Sequence, residues 1–152
     1  MIVKQYIKDF EKLGFGLFVH FGIYSDMERG EWNKLSNHVP DAVYEAHAKT
    51  FCPDPAWAMN LARTAKETGC RYITLTTRHH DGYSLYDTKG LNTYDAPHSC
   101  GRDLVREFVD ACRACGMVPF FFFFLLDWRE PSYRNDFPAY LVYLRKSIEI
   151  LC

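Results

Sequence analysis

The sequence lacks several features that mark large classes of protein. It contains no glycine-rich phosphate loop of the G-x-G-x-x-G or G-x-x-x-x-G-K type, and no window of about 18 consecutive apolar residues. Its 18 basic and 19 acidic residues nearly balance, and no cluster of lysine and arginine with interleaved aromatic residues occurs. These absences argue against nucleic acid and membrane as partners, and they favour a neutral or small polar ligand.

The N-terminal segment MIVKQYIKDFEKLGF has no apolar core followed by a small-residue cleavage site, which a secretory signal requires. We therefore expect a cytoplasmic protein. Without such a signal, the six cysteines are expected to be free thiols. Two of them, Cys112 and Cys115, share one helical face within an apolar stripe, which favours packing over redox or zinc chemistry.

The residues that are present predict a folded core. Hydrophobic residues make up 48% of the 152 residues and aromatic residues 16%, which is enough for a buried interior. No repeat, low-complexity tract or linker divides the chain, so we expect residues 1–152 to belong to one domain with no internal boundary. Runs rich in β-branched or aromatic residues predict strands at 17–21, 72–76 and 117–126, the last apolar enough for burial on both faces.

Helical patterns alternate with the predicted strands. Asp54 and Pro55 are typical of a helix start, a second helix is predicted over 103–115, and a third follows Asp136. The order βαβαβα predicts an α/β fold with a parallel sheet, either doubly wound or part of a (β/α)8 barrel. The longest irregular stretch, 22–53, is expected to be a functional connection because loops of that length are uncommon in compact domains.

Polar and aromatic side chains stand at the end of each predicted strand or in the loop after it. These residues are His20, Glu31–Trp32, His79–His80–Asp81 and Asp127–Trp128. Because the carboxyl ends of parallel strands share one edge of the sheet, the side chains are expected to converge on one pocket. Imidazoles and carboxylates hydrogen-bond hydroxyl groups, and indole rings pack on the C–H face of a sugar. The pattern therefore favours carbohydrate recognition.

Five segments carry a resemblance to a known family. FGLFVHFGIYS, GEW, WAMNLARTAKETGCRYITLTTRHHDGYSLYDT, GRDLVREFVDACRACGM and LLDW, in this order, resemble the N-terminal part of the catalytic barrel of glycoside hydrolase family 29 α-L-fucosidases. The resemblance covers about residues 12–128 and implies a partial (β/α)8 barrel containing the first three βα units. It also implies that His20, Trp32, His79 and His80 hold fucose, with Glu31 beside them.

The same resemblance implies a retaining exo-glycosidase that acts on a fucosylated glycan or glycoside and needs no cofactor or metal. The nucleophile and the acid/base carboxylate of the family lie after later strands, so both are expected C-terminal to Cys152. This chain would then carry the recognition half, inactive alone, and would need the remainder of the barrel or an oligomer partner. The family usually has a tyrosine-containing run where this chain has Phe122-Phe123-Phe124.

Two alternative functions remain open from the sequence. In a metal-dependent barrel hydrolase, His20, one of His79 and His80, and Asp81 would bind Zn²⁺ and activate water. Adjacent histidines would need a turn in the backbone to share one metal, because successive strand side chains point to opposite faces. The other alternative is a non-catalytic fragment or split-barrel subunit with residual sugar binding. Asp81 before Gly82 is typical of a turn, and Asp127 fits either a loop cap or a residue that orients the sugar site.

Overall fold

The computed structural model describes residues 4–152. Residues 1–3 belong to the N-terminal segment in which the sequence predicts no secretory signal, and they lie outside the described residues. The helices and strands follow in the order α1 (Gln5–Glu11), β1 (Gly16–Val19), a 3-10 helix (Ile23–Met27), α2 (Asn33–Ser36), α3 (Asp41–Thr50), α4 (Trp57–Glu67), β2 (Tyr72–Arg78), α5 (Ala96–Cys100), α6 (Leu104–Ala114), β3 (Val118–Phe123), α7 (Ser132–Asn135) and α8 (Phe137–Leu151). None of the helices within residues 4–152 has the length and apolar character needed to cross a membrane.

The three strands form one parallel sheet in the order β1-β2-β3. Gly16 of β1 pairs with Tyr72 of β2, and Tyr72 pairs with Val118 of β3, so the strands begin in register. Between Thr76 and Arg78 a bulge adds one residue to β2. Helical crossovers join the parallel strands, and the α/β prediction of three consecutive βα units is therefore confirmed.

The hydrophobic core lies between the sheet and the helices α4 and α6. Ile73 and Leu75 of β2 are fully buried against this layer, as are Ala62 of α4 and Phe108 of α6. The small side chains of α4 allow it to approach α6 closely, since three of its alanines are among its buried residues. Burial of Phe108 alone removes enough apolar surface to stabilise the fold by roughly 2–3 kcal/mol.

The opposite face of the sheet is open among the described residues. Phe18 of β1 is 48% exposed and Phe122 of β3 is 38% exposed, with their ring centroids 5.2 Å apart. The sequence prediction that β3 needs cover on both faces stays a prediction, because α4 and α6 cover only one face of the sheet.

At the amino ends of the strands, α1 closes part of the open face. The ring of Phe10 lies 5.4 Å from the ring of Tyr72 and 5.5 Å from the ring of Phe120, measured between centroids. Tyr72 and Phe120 also meet edge to face at 5.4 Å. Aromatic pairs in such tilted geometries stabilise beyond their buried area. We call Phe10, Tyr72 and Phe120 the foot cluster.

Two predicted strand ends and one predicted loop differ from the structure. The first strand ends at Val19 rather than at residue 21, because the Phe21 backbone N–H donates to the Thr76 side chain and not to a neighbouring strand. The third strand ends at Phe123, short of the predicted residue 126. The stretch 22–53 was predicted to be irregular, and this was wrong, since the 3-10 helix, α2 and α3 occupy much of it.

Candidate functional site

The side chain of Thr76 connects the end of β1 to the middle of the sheet. Its Oγ1 accepts a hydrogen bond from the Phe21 backbone N–H at 3.1 Å, and the Thr76 hydroxyl donates to the Phe21 carbonyl at 3.3 Å. The Tyr24 hydroxyl also lies 3.1 Å from Thr76 Oγ1. These contacts hold the start of the long connection over the carboxyl end of β2, and they bring His20 beside His79 with ring centroids 5.7 Å apart.

A turn at the end of β2 places two adjacent imidazoles in one cluster. The Gly82 backbone N–H donates to the His79 carbonyl at 3.1 Å, so the backbone leaves the extended conformation directly after Arg78. The rings of His79 and His80 are consequently only 4.8 Å apart. Side chains point to alternate faces only along a strand, and β2 ends at Arg78. The consecutive residues His79 and His80 can therefore reach the same site.

Three further aromatic rings surround the imidazoles. The Phe124 ring lies 4.2 Å from His79 and 4.1 Å from His80, so it occupies the space between them on one side. Trp32 lies 5.2 Å from His80, and Trp128 lies 5.3 Å from the same ring. We define the ring cluster as the seven aromatic side chains that meet at this edge of the sheet, namely His20, Tyr24, Trp32, His79, His80, Phe124 and Trp128.

The two imidazoles differ in their hydrogen bonds. His80 Nδ1 lies 3.2 Å from the Leu126 carbonyl, so Nδ1–H donates there and leaves Nε2 as an acceptor. His79 is 2% exposed, and neither of its ring nitrogens has a partner among residues 4–152. Burial, together with the neighbouring imidazoles of His80 and His20, lowers the pKa of His79 to about 3. His79 is therefore neutral at ordinary pH, with one donor and one acceptor to offer.

The accessible part of the ring cluster is formed by Trp32 and His20. Trp32 is 47% exposed, and His20 is exposed at the end of β1. Glu31 precedes Trp32 and is half-buried. Burial raises the pKa of the Tyr24 phenol above its ordinary range, and the carboxylates of Asp81 and Glu31 add to that rise.

The two aspartates that follow strands β2 and β3 accept hydrogen bonds from nearby backbone N–H groups. Asp81 is 1% exposed, and its Oδ1 accepts a hydrogen bond from the Tyr83 backbone N–H at 2.8 Å, which confirms the predicted turn. Asp127 is 2% exposed, and its Oδ1 accepts from the Arg129 and Glu130 backbone N–H groups at 2.7 and 3.0 Å. The sequence left two roles open for Asp127, and the structure shows the first of them, a cap of the loop backbone.

Within residues 4–152, no three histidine, cysteine, aspartate or glutamate side chains come together as a set that could hold a metal ion. His20, Asp81 and either His79 or His80 therefore do not form the metal site of the alternative interpretation. All six cysteines are free in the structure, and Cys112 and Cys115 are buried in the core as packing residues.

Residues 3–142 of the chain match the model of a family described as α-L-fucosidase. The chain belongs to this α-L-fucosidase family. The family resemblance of the five sequence segments is therefore confirmed.

Similar proteins extend well beyond the part that this chain matches. The tissue α-L-fucosidase of Bos taurus is 34% identical to this chain in an alignment that covers 84% of this chain and 31% of that protein. The α-L-fucosidase isoenzyme 1 of Paenibacillus thiaminolyticus superposes with a TM-score of 0.87 at 34% identity, covering 97% of this chain and 39% of that one.

A third similar protein is a glycoside hydrolase family 29 α-L-fucosidase of Bacteroides thetaiotaomicron, whose structure holds a trapped covalent intermediate with 2-fluoro-fucosyl fluoride. It superposes with a TM-score of 0.87 at 26% identity, covering 97% of this chain and 38% of that one. The chain thus spans between about three and four tenths of the length of these relatives.

The structure brings His20, Trp32, His79 and His80 together, as the sequence predicted, whereas Glu31 is half-buried beside Trp32 in the chain. Sequence reasoning missed Tyr24, whose ring lies 5.2 Å from His79. Its position four residues after His20, within FGIYS, is the signal that could have included it. Sequence reasoning also missed Arg78, a charged residue that ends a buried strand.

Proposed function

We propose that the protein containing this chain is a retaining, exo-acting α-L-fucosidase, and that this chain supplies the surface that recognises fucose. The observation that carries the proposal is the ring cluster, in which His80 keeps Nε2 free as an acceptor and both nitrogens of His79 lack partners. Buried polar groups without partners are costly in a folded protein, so a ligand rich in hydroxyl groups suits them.

The chemistry of the exposed rings supports the same ligand class. Trp32 and His20 form the accessible rim, whereas His79 lies beneath Phe124 and Tyr24 at 2% exposure. A sugar would therefore first stack its C–H face on the Trp32 indole and then reach His79 as the covering side chains shift. Phe124 has no hydroxyl, so it would contribute an apolar surface and no hydrogen bond.

In our proposal, residues outside this chain carry out the covalent steps. The trapped intermediate of the Bacteroides thetaiotaomicron relative supports a retaining mechanism, which needs a nucleophilic carboxylate and a second carboxyl group as acid/base. We place both carboxylates C-terminal to residue 152. The residues of this chain would bind and orient the sugar, and no cofactor or metal takes part.

The open face of the sheet supports a further element of the proposal. Phe18 and Phe122 leave an aromatic surface that needs cover, and the later strands of the same barrel would supply it. A split barrel, in which a second polypeptide covers this face, is the alternative that the same exposed rings favour. Sedimentation velocity of the protein isolated from its native host distinguishes a single long chain from an assembly of short ones.

The test of function combines hydrolysis with binding. The native protein should release fucose from an aryl α-L-fucoside with retention of configuration, observed by proton NMR of the first-formed sugar. Fucose binding, followed by calorimetry, should weaken about tenfold in His80→Ala, because one hydrogen bond in a closed site is lost. His47→Ala, an exposed histidine paired with Asp26, is the matched control and should bind as the parent does. Equal binding by both variants would contradict the proposal.

A further inference from the structure

An ion pair is buried behind the ring cluster. Arg78, the last residue of β2, is 1% exposed, and its Nη2 contacts Oδ2 of Asp127, which is 2% exposed. Arg78 is the largest fully buried side chain of the described residues. A buried ion pair adds little net stability compared with a well-packed apolar pair, because both charges must leave water. Its presence here therefore suggests a role in geometry.

The two oxygens of Asp127 divide their contacts between two segments. Oδ2 holds the Arg78 guanidinium at the end of β2, and Oδ1 accepts the backbone N–H groups of Arg129 and Glu130. One carboxylate thus joins β2 to the turn that follows β3. Trp128 lies between the residue that provides the carboxylate and the residues that it caps.

Trp128 contacts the turn at residues 79–82, which we call the histidine turn, through both its backbone and its ring. Its backbone N–H donates to the His80 carbonyl at 2.8 Å, and its indole lies 5.3 Å from the His80 ring and 5.7 Å from the Trp32 ring. The capped turn sets the backbone direction at Trp128, so the ion pair and the indole belong to one connected structure.

The surroundings of the ion pair leave it little freedom. The Arg78 guanidinium lies 5.2 Å from the Phe123 ring and 5.3 Å from the Tyr143 ring of α8. Gly82 has φ +81°, and a Cβ there would lie 2.8 Å from Asp127 Oδ1. The histidine turn and the Asp127 carboxylate are therefore packed as closely as a glycine permits.

We propose that Arg78 and Asp127 are positioning residues that hold Trp128 against His80 and so set the shape of the ring cluster. The arrangement of the rings follows from the contacts above, and only the statement that the held surface binds fucose rests on the proposed function. Neither residue would touch the sugar.

The experiment uses the native protein labelled with 5-fluorotryptophan, whose fluorine resonances are assigned by single Trp→Phe substitutions. Asp127→Asn keeps an oxygen that caps the turn but removes the charge that pairs with Arg78. Because a lone buried cation can prevent folding, the double variant Arg78→Met/Asp127→Asn removes both charges and keeps similar volumes. Ser147→Ala is the control, since it removes the buried hydroxyl that pairs with Tyr86 and leaves Asp127 untouched.

In the double variant we expect the Trp128 resonance to shift or broaden while the Trp57 resonance keeps its position, because the Trp57 indole N–H donates to Glu107 and to neither residue of the ion pair. For an aryl α-L-fucoside we expect KM to rise about tenfold with kcat within about twofold, as loss of positioned ground-state binding predicts. The Ser147→Ala control should change neither readout.

An unchanged Trp128 resonance and an unchanged KM in the folded double variant would overturn the inference. The same changes in Ser147→Ala would overturn it as well, because they would reflect general loss of stability. If the parent protein neither hydrolyses the fucoside nor shows a fluorine shift with fucose, the proposed function fails. The Trp128 resonance of the variants still decides whether the ion pair positions the indole.

Discussion

Acidification is expected to act on His79 and Asp81 in opposite directions. Burial lowers the pKa of His79 from 6.5 to about 3, with help from the charges of His80 and His20. Below pH 6.5 the unfolded chain takes up a proton at this residue, and the folded chain does not take it up until about pH 3. Stability contributed by neutral His79 is therefore fully present near neutral pH and is lost as the pH falls through this window.

The contribution of Asp81 to stability changes with pH in the opposite direction. Burial raises the pKa of its carboxyl from 3.8 to about 6, although the Tyr83 N–H and the cations Lys34 and Arg78 oppose the rise. At neutral pH the charged carboxylate destabilises the folded chain. As the pH falls through about 6, the folded chain binds a proton before the unfolded chain does, so stability is gained.

Between about pH 7.5 and about pH 4.5 each effect amounts to roughly 2 kcal/mol in the free energy of unfolding, since one unit of pKa difference corresponds to about 1.4 kcal/mol. The two contributions nearly cancel in the parent protein. His79→Gln should therefore become more stable relative to the parent on acidification, and Asp81→Asn should become less stable relative to it.

Urea unfolding followed by tryptophan fluorescence at several pH values measures both profiles. The pH dependence decides the outcome, because either substitution also changes stability by an amount that does not vary with pH. His47→Gln, at an exposed site, serves as the control. If the profiles of His79→Gln and Asp81→Asn run parallel to that of the parent, the assigned pKa directions are wrong.

Two other predictions concern the fold. Gly82→Ala should lower the free energy of unfolding by about 2 kcal/mol or more, because it combines positive φ with contact to Asp127, whereas Gly90→Ala, at a similar φ with open space around it, should cost about 1 kcal/mol. Equal losses of melting temperature in the two variants would contradict the tight contact. Phe108→Ala should cost about 3–5 kcal/mol in urea unfolding, whereas Phe137→Ala, at a 53% exposed site, should cost less than about 1 kcal/mol, and similar costs would refute the assigned core.

The strands and their order could be predicted because local patterns carry them. Ile73 and Leu75 alternate with half-buried residues along β2, and glycines follow the helices that cover them. The family resemblance then identified a partial barrel. The convergence of His20 with His79 and His80 could be predicted for the same reason, since parallel strands end at one edge.

Features that depend on distant partners could not be predicted. α3 was missed because half of its residues are polar, and only Tyr44 and Ala48 of this helix are buried. The burial of Arg78 depends on Asp127, which is far from it in the sequence, and on Tyr143 of α8. Whether His20, Glu31, Trp32, His79 and His80 bind fucose stays a prediction, as do the single-domain boundaries and the cytoplasmic location.

The foot cluster gives the two ends of the sheet different tolerance to sequence change. Phe10, Tyr72 and Phe120 pack at the amino ends of the strands, whereas the rings proposed to contact a sugar lie at the carboxyl ends. Mutations in the connections after β1 and β3 can therefore alter ligand preference without loosening the packing at the other end. Exchange of these connections between members of the family is expected to leave the packing of the foot cluster intact.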